Sequence, residues 1–263
     1  APMLLAPWSR WMLRKPLVIH EQNAVAGTTN RLLAPLATCV FAGFPGAFDN
    51  NIHYTVLGNP VRRELLDARA DRLYDYAGQR PLRLLVVGGS LGARPINDVM
   101  PGAIKRLIEA GNTSIEVWHQ TGEAHDDAVR QAYGALLDRG VRVAPYIEDM
   151  AEAYSWADLV LCRCGALTIT ELCIIGRPAI LVPLPHAIDD HQTANARVLT
   201  DCGGATGDNG SAARAGGSSL GCEMGSMMWE VGSLMCEPPI ELAQRLCLHC
   251  ADLRTCMALF GVN

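Results

Sequence analysis

Residues 159–171 read LVLCRCGALTITE. The first four residues are all apolar, as in a strand that is buried on both faces, and Gly165 then forms the turn before a predicted helix. A helix that begins at such a turn points free backbone N–H groups towards an anion such as a phosphate. Glu171 follows one turn later and can accept hydrogen bonds from a ribose diol. The stretch therefore predicts either the diphosphate and ribose site of a nucleotide or an ordinary strand-to-helix turn with a solvated glutamate.

Strands and helices alternate around this stretch. The predicted strands cover 84–87, 114–119, 141–146, 158–162 and 178–182. The predicted helices cover 95–110, 123–139, 149–156, 166–175 and 190–201. Continuous apolar strands separated by helices are typical of a parallel sheet that is covered on both faces, so residues 83–204 are predicted to form a Rossmann-like α/β domain.

A shorter α/β piece precedes this domain. Its predicted strands cover 17–19, 39–42 and 54–57, and its predicted helix covers 27–37. Residues 1–62 are too few for a complete α/β domain, so we expect them to be the remnant of a second one. Residues 63–82 are predicted to join the two parts, and their polar section 67–79 indicates either a linker or an exposed helix.

The periodic pattern stops after Gly204, and residues 205–263 are predicted to be an atypical, disordered tail. Six of the ten cysteines lie in the last 63 residues, and Gly, Ser and Met are frequent there. Cys247 and Cys250 have a zinc-like or redox-like spacing, but no clear second ligand pair accompanies them. The abrupt change of composition suggests an altered reading frame or a foreign end.

Composition indicates a globular protein and excludes several function classes. Hydrophobic residues make up 49% and charged residues 19% of the chain, a globular balance. The net charge of −5 argues against a nucleic-acid partner, which would require a basic surface. No apolar run approaches the ~18 residues of a membrane span. Residues 1–16 lack the pattern of a signal peptide and are predicted to be a poorly ordered end, a surface helix or a basic interfacial helix.

A second phosphate-type turn, Gly88-Gly89-Ser90-Leu91-Gly92, lies between a predicted strand and a predicted helix. Its glycines let the backbone approach a ligand closely, and the Ser90 hydroxyl can donate to a phosphate or sugar oxygen. The turn matches neither a dinucleotide fingerprint nor a Walker loop. It is therefore predicted to be either a ligand loop or a tight packing turn.

Polar side chains follow two other predicted strands, at the edge where parallel sheets bind ligands. Asn23 is a candidate partner of a sugar hydroxyl, whereas His20 is either a base or a structural residue. In the cluster 186–195, Gln192 and Asp190 are candidate sugar partners, and Asp190 can also cap the following helix. A metal is disfavoured because the cluster lacks a regular ligand spacing.

Several motifs occur together along the chain. They are HEQN (20–23), FPGAF (44–48), GNPVR (58–62), VVGGS (86–90), WHQTG (118–122) and RCGALTITE (163–171). In this combination the chain resembles the MurG family, the membrane-associated N-acetylglucosaminyltransferases of peptidoglycan synthesis. The resemblance extends over about residues 15–204.

The resemblance implies an α/β fold of the glycosyltransferase-B type, with one Rossmann-like donor domain and the remnant of an acceptor-side domain. The implied reaction transfers N-acetylglucosamine from UDP-N-acetylglucosamine to the C4 hydroxyl of the lipid-linked muramoyl-pentapeptide (lipid I), which gives lipid II. It proceeds by inversion, without a metal or another cofactor. The implied location is peripheral, on the cytoplasmic face of the bacterial inner membrane, in cell-wall biogenesis and cell division.

By the same resemblance, donor contacts fall on residues in both parts of the chain. They are Asn23, Arg62, Ser90, Ile147, Ala166, Leu167, Thr168, Ile169, Thr170, Glu171 and Gln192. Ser90 and the turn 166–168 would face the diphosphate and sugar, Glu171 would hold the ribose, and the backbone of Ile147 would meet the uracil. The positive ends of helices would stabilise the departing UDP.

The sequence departs from the family in three places. The family's glycine-rich loop, which carries the expected base, has no match, so no catalytic residue is assigned. Cys164 replaces the usual serine, and because a thiol is a weaker hydrogen-bond donor, the turn is expected to bind phosphate less well. The family's final strand and helices have no match after Gly204. We therefore expect the chain to keep only donor binding. The alternatives are a non-catalytic UDP-sugar-binding module and a UDP-sugar epimerase of the same fold.

Overall fold

The structure of the chain is a computed structural model that describes residues 15–70, 76, 80–89, 92–109, 115–184, 191–201 and 205–206. Ser90, the segment 185–190 and most of the predicted tail therefore lie outside the described residues. The cysteines of that tail, including Cys247 and Cys250, lie outside them as well.

A six-stranded parallel sheet forms the centre of the larger part of the chain. Its strands are β4 (Leu82–Val87), β5 (Ile115–Gln120), β6 (Val141–Ala144), β7 (Leu159–Cys162), β8 (Ala179–Leu181) and β9 (Ala205–Thr206). They lie in the order β6-β5-β4-β7-β8-β9, and every neighbouring pair is parallel. After β4, the strands β5 and β6 are added on one side of β4, and β7, β8 and β9 are then added on its other side. This reversal is the point at which open parallel sheets bind ligands, at the carboxyl ends of the strands.

Helices cover both faces of this sheet because successive strand residues point to opposite faces. One face packs against α3 (Arg94–Glu109) and α4 (Asp126–Tyr133), with Leu84 and Val86 of β4 in the shared core. The other face packs against α2 (Arg63–Ala70), α5 (Met150–Trp156), α6 (Ala166–Ile175) and α7 (His191–Asp201). Leu85 and Val87 belong to that second core. The predicted Rossmann-like architecture is confirmed.

A smaller parallel sheet precedes the larger one. It consists of β1 (Val18–Glu21), β2 (Cys39–Ala42) and β3 (Thr55–Val56), in that order. Helix α1 (Thr28–Leu33) continues into a 3₁₀ turn over Ala34–Leu36. Ile19, Val40 and Phe48 contribute to its own small core.

Some predicted elements differ from the observed ones. The predicted helix over 123–139 is wrong in extent, because α4 stops at Tyr133 and 3₁₀ turns flank it. Gly134, with φ of 52°, occupies the cap and ends the regular helix. The predicted strand over 141–146 ends at Ala144, because the next residue, Pro145, has no N–H for the sheet.

The predicted linker begins with α2, which is anchored to the larger sheet. Leu65 is 1% exposed and packs in the same core as residues of α5 and α6. At the other end, β9 uses the first two residues of the predicted tail and pairs with β8. Within the described part of the chain, no helix combines the length and the apolar character that crossing a bilayer requires.

Candidate functional site

A cleft of about 420 Å³ opens at the carboxyl ends of β4 and β7, where the strand order reverses. Two turns form most of its wall, one after each strand. The lining residues are Val87, Gly88, Gly89, Gly92, Ala93, Arg94, Pro95, Arg163, Gly165, Thr168, Leu184 and Gln192. This position is the one expected for a ligand of a doubly wound sheet.

The N-terminus of α6 forms one wall of the cleft. Gly165 is the N-cap residue, with extended backbone angles, and no side chain caps the helix. The first helical hydrogen bond runs from the Ile169 amide to the Gly165 carbonyl, so the amides that precede Ile169 lack a partner within the helix. Gly165 and Thr168 both line the cleft. The wall therefore presents amide donors and the positive end of a helix dipole.

The glycine turn after β4 forms the facing wall. The Gly92 amide donates to the Gly89 carbonyl at 2.9 Å, and the Gln120 side-chain amide donates to the same carbonyl at 3.1 Å. Gly92 has φ of 73°, and a Cβ atom there would lie 2.0 Å from the Thr121 carbonyl oxygen. Glycine is thus required by packing as well as by backbone conformation.

Arg163 brings a positive charge to the cleft. Its guanidinium donates to the carbonyl oxygens of Pro183 at 2.8 Å and Val182 at 3.3 Å. Burial lowers the pKa of Arg163, but a guanidinium stays protonated in proteins. Gln192 is oriented on the same wall, because its Oε1 accepts from the Leu184 amide at 2.8 Å.

Glu171 lies one turn along α6. Tyr154 of α5 donates its hydroxyl to Oε2 of Glu171 at 3.1 Å. On the other carboxylate oxygen, Arg62 approaches Oε1 at 3.5 Å. The Glu171 side chain is 16% exposed, so part of it remains accessible.

Asn23 belongs to a polar network that begins at Glu21. Oε1 of Glu21 accepts from the Asn23 amide and side chain, and Oε2 accepts from Gly27 and Asn30. Burial alone would raise the pKa of Glu21, but these hydrogen bonds outweigh it and hold that pKa below its ordinary value. Asn195 of α7 then donates to Oδ1 of Asn23 at 3.1 Å, which ties this loop to the larger sheet.

Ile147 lies beside a second cleft, of about 320 Å³. Its side chain is buried in the core that also contains Met150 and Tyr154. The second cleft is lined by Arg62, Glu64, Leu65, Glu148, Asp149, Met150 and Ala151. Arg62 therefore lines this cleft and also approaches Glu171 at 3.5 Å.

Comparison with known proteins identifies the family. Residues 83–209 match the glycosyltransferase family 28 C-terminal domain. The UDP-N-acetylglucosamine–N-acetylmuramyl-(pentapeptide) pyrophosphoryl-undecaprenol N-acetylglucosamine transferase of Tolumonas auensis is 50% identical over 194 residues, which are 74% of this chain and 53% of that protein. The transferase of the same name from Cellvibrio japonicus is 54% identical over 192 residues, 72% of this chain and 52% of that protein.

The crystal structure of Acinetobacter baumannii MurG superposes with a TM-score of 0.66 and 34% identity, and covers 97% of this chain and 69% of that one. The chain belongs to the MurG family. A glycosyltransferase of Streptomyces sp. SF2575, at 14% identity and a TM-score of 0.50, shares the fold alone. The predicted family and the glycosyltransferase-B type of fold are confirmed. The chain spans about half the length of the curated MurG relatives that it matches.

The residues predicted from the MurG resemblance occupy different positions relative to the cleft. Thr168 and Gln192 line the cleft. Arg62 lines the second cleft and approaches Glu171, which lines neither of the two. Ile169 is fully buried, so its side chain faces the core. Leu167 is partly exposed, Ala166 is buried, and the Thr170 hydroxyl donates to the Ala166 carbonyl. Ser90, Asp189 and Asp190 lie outside the described residues.

Cys164 does not line the cleft of this MurG-family chain. Its side chain is fully buried in the core formed by α5 and α6, and burial raises the pKa of its thiol to about 12. The expectation that this thiol weakens phosphate binding loses its basis, because the side chain faces the core. The Cys164 carbonyl does contribute, since it accepts from Asn195 at 3.1 Å.

Sequence reasoning assigned no role to four residues that line the cleft or support its surroundings, which are Arg163, Tyr154, Glu21 and Asn195. Arg163 lies within the motif RCGALTITE, so its positive charge could have been recognised from the sequence as a candidate partner of a phosphate. Tyr154 acts on a residue of another helix, and no local pattern marks it. Asn195 belongs to the polar cluster 186–195, but its contact with Asn23 is not visible in the sequence. His20 accepts or donates a hydrogen bond at the Gly58 carbonyl, 2.9 Å away. Among the described residues, no group of three or more His, Cys, Asp or Glu side chains is arranged to hold a metal.

Proposed function

We propose that this chain binds UDP-N-acetylglucosamine in the cleft at the carboxyl ends of β4 and β7. The convergence of the α6 N-terminus, the glycine turn and Arg163 on one cleft carries the proposal. Amides and a guanidinium suit a diphosphate, and the carboxylate of Glu171 suits the ribose diol. The names of the relatives give further support, because each is a transferase of N-acetylglucosamine.

Within this proposal, the predicted contacts take separate parts of the donor. Ser90 and the turn Ala166–Thr168 bind the diphosphate and the sugar, and Gln192 binds sugar hydroxyls. Glu171 holds the ribose, and the backbone at Ile147 meets the uracil. Asn23 and Arg62 reach the donor from the smaller sheet, so the site draws on both parts of the chain.

We assign to the complete protein the reaction named for its relatives, transfer of N-acetylglucosamine to the lipid-linked muramoyl-pentapeptide. The positive end of α6 and the charge of Arg163 stabilise the negative charge that develops on the departing UDP. Residues 83–204 act as the donor domain, 63–82 join the two parts, and 1–62 belong to the acceptor side. The protein works as a peripheral enzyme at the cytoplasmic face of the bacterial inner membrane.

Calorimetric titration tests donor binding directly. The chain is titrated with UDP-N-acetylglucosamine and UDP-glucose, and saturable heat with the first and weaker binding of the second are expected. Absence of heat with either ligand would rule out a donor site. Turnover of a lipid-linked acceptor analogue then separates a transferase from a non-catalytic binding module.

Replacement of Glu171 by alanine tests the ribose contact. We expect Glu171→Ala to weaken UDP binding by ~1–3 kcal/mol, because hydrogen bonds to a charged group are lost. Glu116→Ala is the matched control, since Glu116 pairs with Arg83 at the opposite end of the strands. Equal affinities of the Glu171→Ala variant and the unmodified chain would remove Glu171 from the site.

A further inference from the structure

Tyr154 and Glu171 form a buried contact next to the proposed ribose site. Tyr154 is 1% exposed and packs in the core beneath α6, yet its hydroxyl reaches Oε2 of Glu171 at 3.1 Å. A buried hydroxyl without a partner is costly, and so is a carboxylate that has lost its water. Each group therefore satisfies the other, and the carboxylate is held in one orientation.

The proton of this hydrogen bond belongs to Tyr154. Burial raises the pKa of Tyr154 well above its ordinary value, and the negative charge of Glu171 raises it further. The phenol is therefore protonated at neutral pH and donates the hydrogen bond. The carboxylate of Glu171 can only accept hydrogen bonds. Its lone pairs that do not bind the Tyr154 hydroxyl stay available for hydroxyl groups of a ligand.

The competing partner of Glu171 is weaker. Arg62 lies 3.5 Å from Oε1, and its side chain is 50% exposed. Exposed ion pairs of this kind contribute little, because water screens them and long side chains resist ordering. The orientation of the carboxylate thus depends on Tyr154, and without the hydroxyl Glu171 is free to turn towards Arg62.

Helix α5 carries Tyr154 and begins close to Ile147, the proposed uracil contact. The helix begins at Met150, capped by Asp149, whose Oδ1 accepts from the Glu152 amide at 2.8 Å. Ile147 lies just before this cap, and Tyr154 lies one turn inside the helix. One rigid element therefore connects the proposed uracil contact with the residue that holds the ribose contact.

We propose that Tyr154 is a positioning residue that orients Glu171 for the ribose hydroxyls and so confers preference for a ribonucleotide donor. The inference rests on the proposed function, because it presumes that UDP occupies the cleft. Tyr154 itself does not touch the ligand. Its effect is therefore expected to appear only with ligands that carry the hydroxyls that Glu171 accepts.

Titration of UDP and 2′,3′-dideoxy-UDP into the unmodified chain and the Tyr154→Phe variant tests this role. The phenylalanine ring fills the same space, so the core is kept, and thermal melting verifies the fold. In the variant, the dissociation constant of UDP is expected to rise about tenfold, the cost of a hydrogen bond to a charged group. That of the dideoxy ligand is expected to stay unchanged. A merely structural tyrosine would weaken both ligands equally, and that result would overturn the inference.

Two further variants make the result specific. Tyr133→Phe is the matched control, because Tyr133 is equally buried and donates to His119 on the opposite face of the sheet. It is expected to leave the ratio of the two dissociation constants unchanged. In a Glu171→Ala background, which has no acceptor for the Tyr154 hydroxyl, Tyr154→Phe is expected to cause no additional loss of UDP binding. An additional loss there would show that Tyr154 acts by another route.

The outcomes for the unmodified chain separate this inference from the proposed function. If the chain does not bind UDP, the proposed function fails and the inference fails with it. If it binds UDP and the dideoxy ligand equally, the donor site stands, but the role of Glu171 and Tyr154 is overturned. If it prefers UDP and Tyr154→Phe keeps that preference, only the role of Tyr154 is overturned.

Discussion

His119 is a fully buried histidine beneath the glycine turn, and its hydrogen bonds define its tautomer. The Asn97 side-chain amide donates to the Thr121 carbonyl at 2.9 Å, so Oδ1 of Asn97 faces the ring and accepts from Nε2. Nδ1 then accepts from the Tyr133 hydroxyl at 3.0 Å. The ring is neutral in this arrangement, and burial lowers the pKa of His119 to about 4.

This pKa predicts how stability depends on pH. The unfolded chain binds a proton at His119 below pH 6.5, whereas the folded chain binds it only near pH 4, so stability falls as the pH is lowered through this window. Between pH 7 and pH 5, we expect the free energy of unfolding to decrease by about 2 kcal/mol from this residue. Urea unfolding at pH 7 and at pH 5 measures this decrease in the free energy of unfolding.

The His119→Gln variant is the control for the pH effect. Glutamine keeps hydrogen-bonding groups at the position but does not titrate. The decrease between pH 7 and pH 5 is expected to be smaller by about 2 kcal/mol in this variant. If the variant and the unmodified chain lose the same stability, another group is responsible for the pH dependence.

Among the elements, the glycine turn after β4 and helix α3 show that glycines at close positions in the chain serve different purposes. Gly92 has φ of 73° and lies against the Thr121 carbonyl, so a side chain has no room there. Gly102 lies within α3, and a Cβ atom would meet only the end of the Arg106 side chain, 4.0 Å away. Gly92 is therefore needed for the shape of the turn beside the cleft, whereas Gly102 only lowers the stability of α3 relative to alanine.

Alanine at each position distinguishes the two. We expect Gly92→Ala to lower the free energy of unfolding by about 3 kcal/mol and to weaken UDP binding, because it combines a positive φ with a backbone clash. Gly102→Ala is the matched control and is expected to raise stability by about 0.5–1 kcal/mol. Denaturant unfolding measures both changes. Equal effects of the two substitutions would contradict this account of the turn.

Across the whole molecule, polar contacts join the two sheets next to the cleft. Asn195 of α7 accepts from the Ala24 amide at 2.8 Å and donates to the Asn23 side chain and the Cys164 carbonyl. Asn59, before α2, donates to the Gln22 carbonyl and to the Thr170 hydroxyl, each at 3.0 Å. The loops after β1 and β3 are therefore held against α6 and α7, beside the proposed donor.

Removal of the Asn195 side chain tests this connection. Asn195→Ala leaves a buried amide and two acceptors without their partner, so we expect a loss of about 3 kcal/mol in the free energy of unfolding. Hydrogen exchange at the Ala24 amide is expected to become faster. Asn97→Ala is the matched control, since it removes a comparable buried network within the larger sheet. Faster exchange at Ala24 in both variants would mean that the effect is general destabilisation.

The sequence alone predicted the larger sheet well because its signals are local. Continuous apolar strands, turn glycines and the spacing of helices are readable within short windows, and the predicted helix over 166–175 matches α6 in both bounds. Local signals also failed in a recognisable way. Gly134 ended α4 inside a predicted helix, and Leu65, near the start of the predicted linker, is buried in a core of the larger sheet.

The sequence by itself thus determined the α/β class and the family, because these depend on patterns within one segment or on motifs shared with relatives, whereas the donor contacts that it suggests stay predictions. Only the tertiary structure decided which strands are neighbours and which side chains meet. It buried Cys164 in the core, brought Arg163 to the cleft wall and joined Tyr154 to Glu171 across two helices. Contacts between distant segments depend on packing, and packing is a property of the folded chain rather than of any single stretch of it.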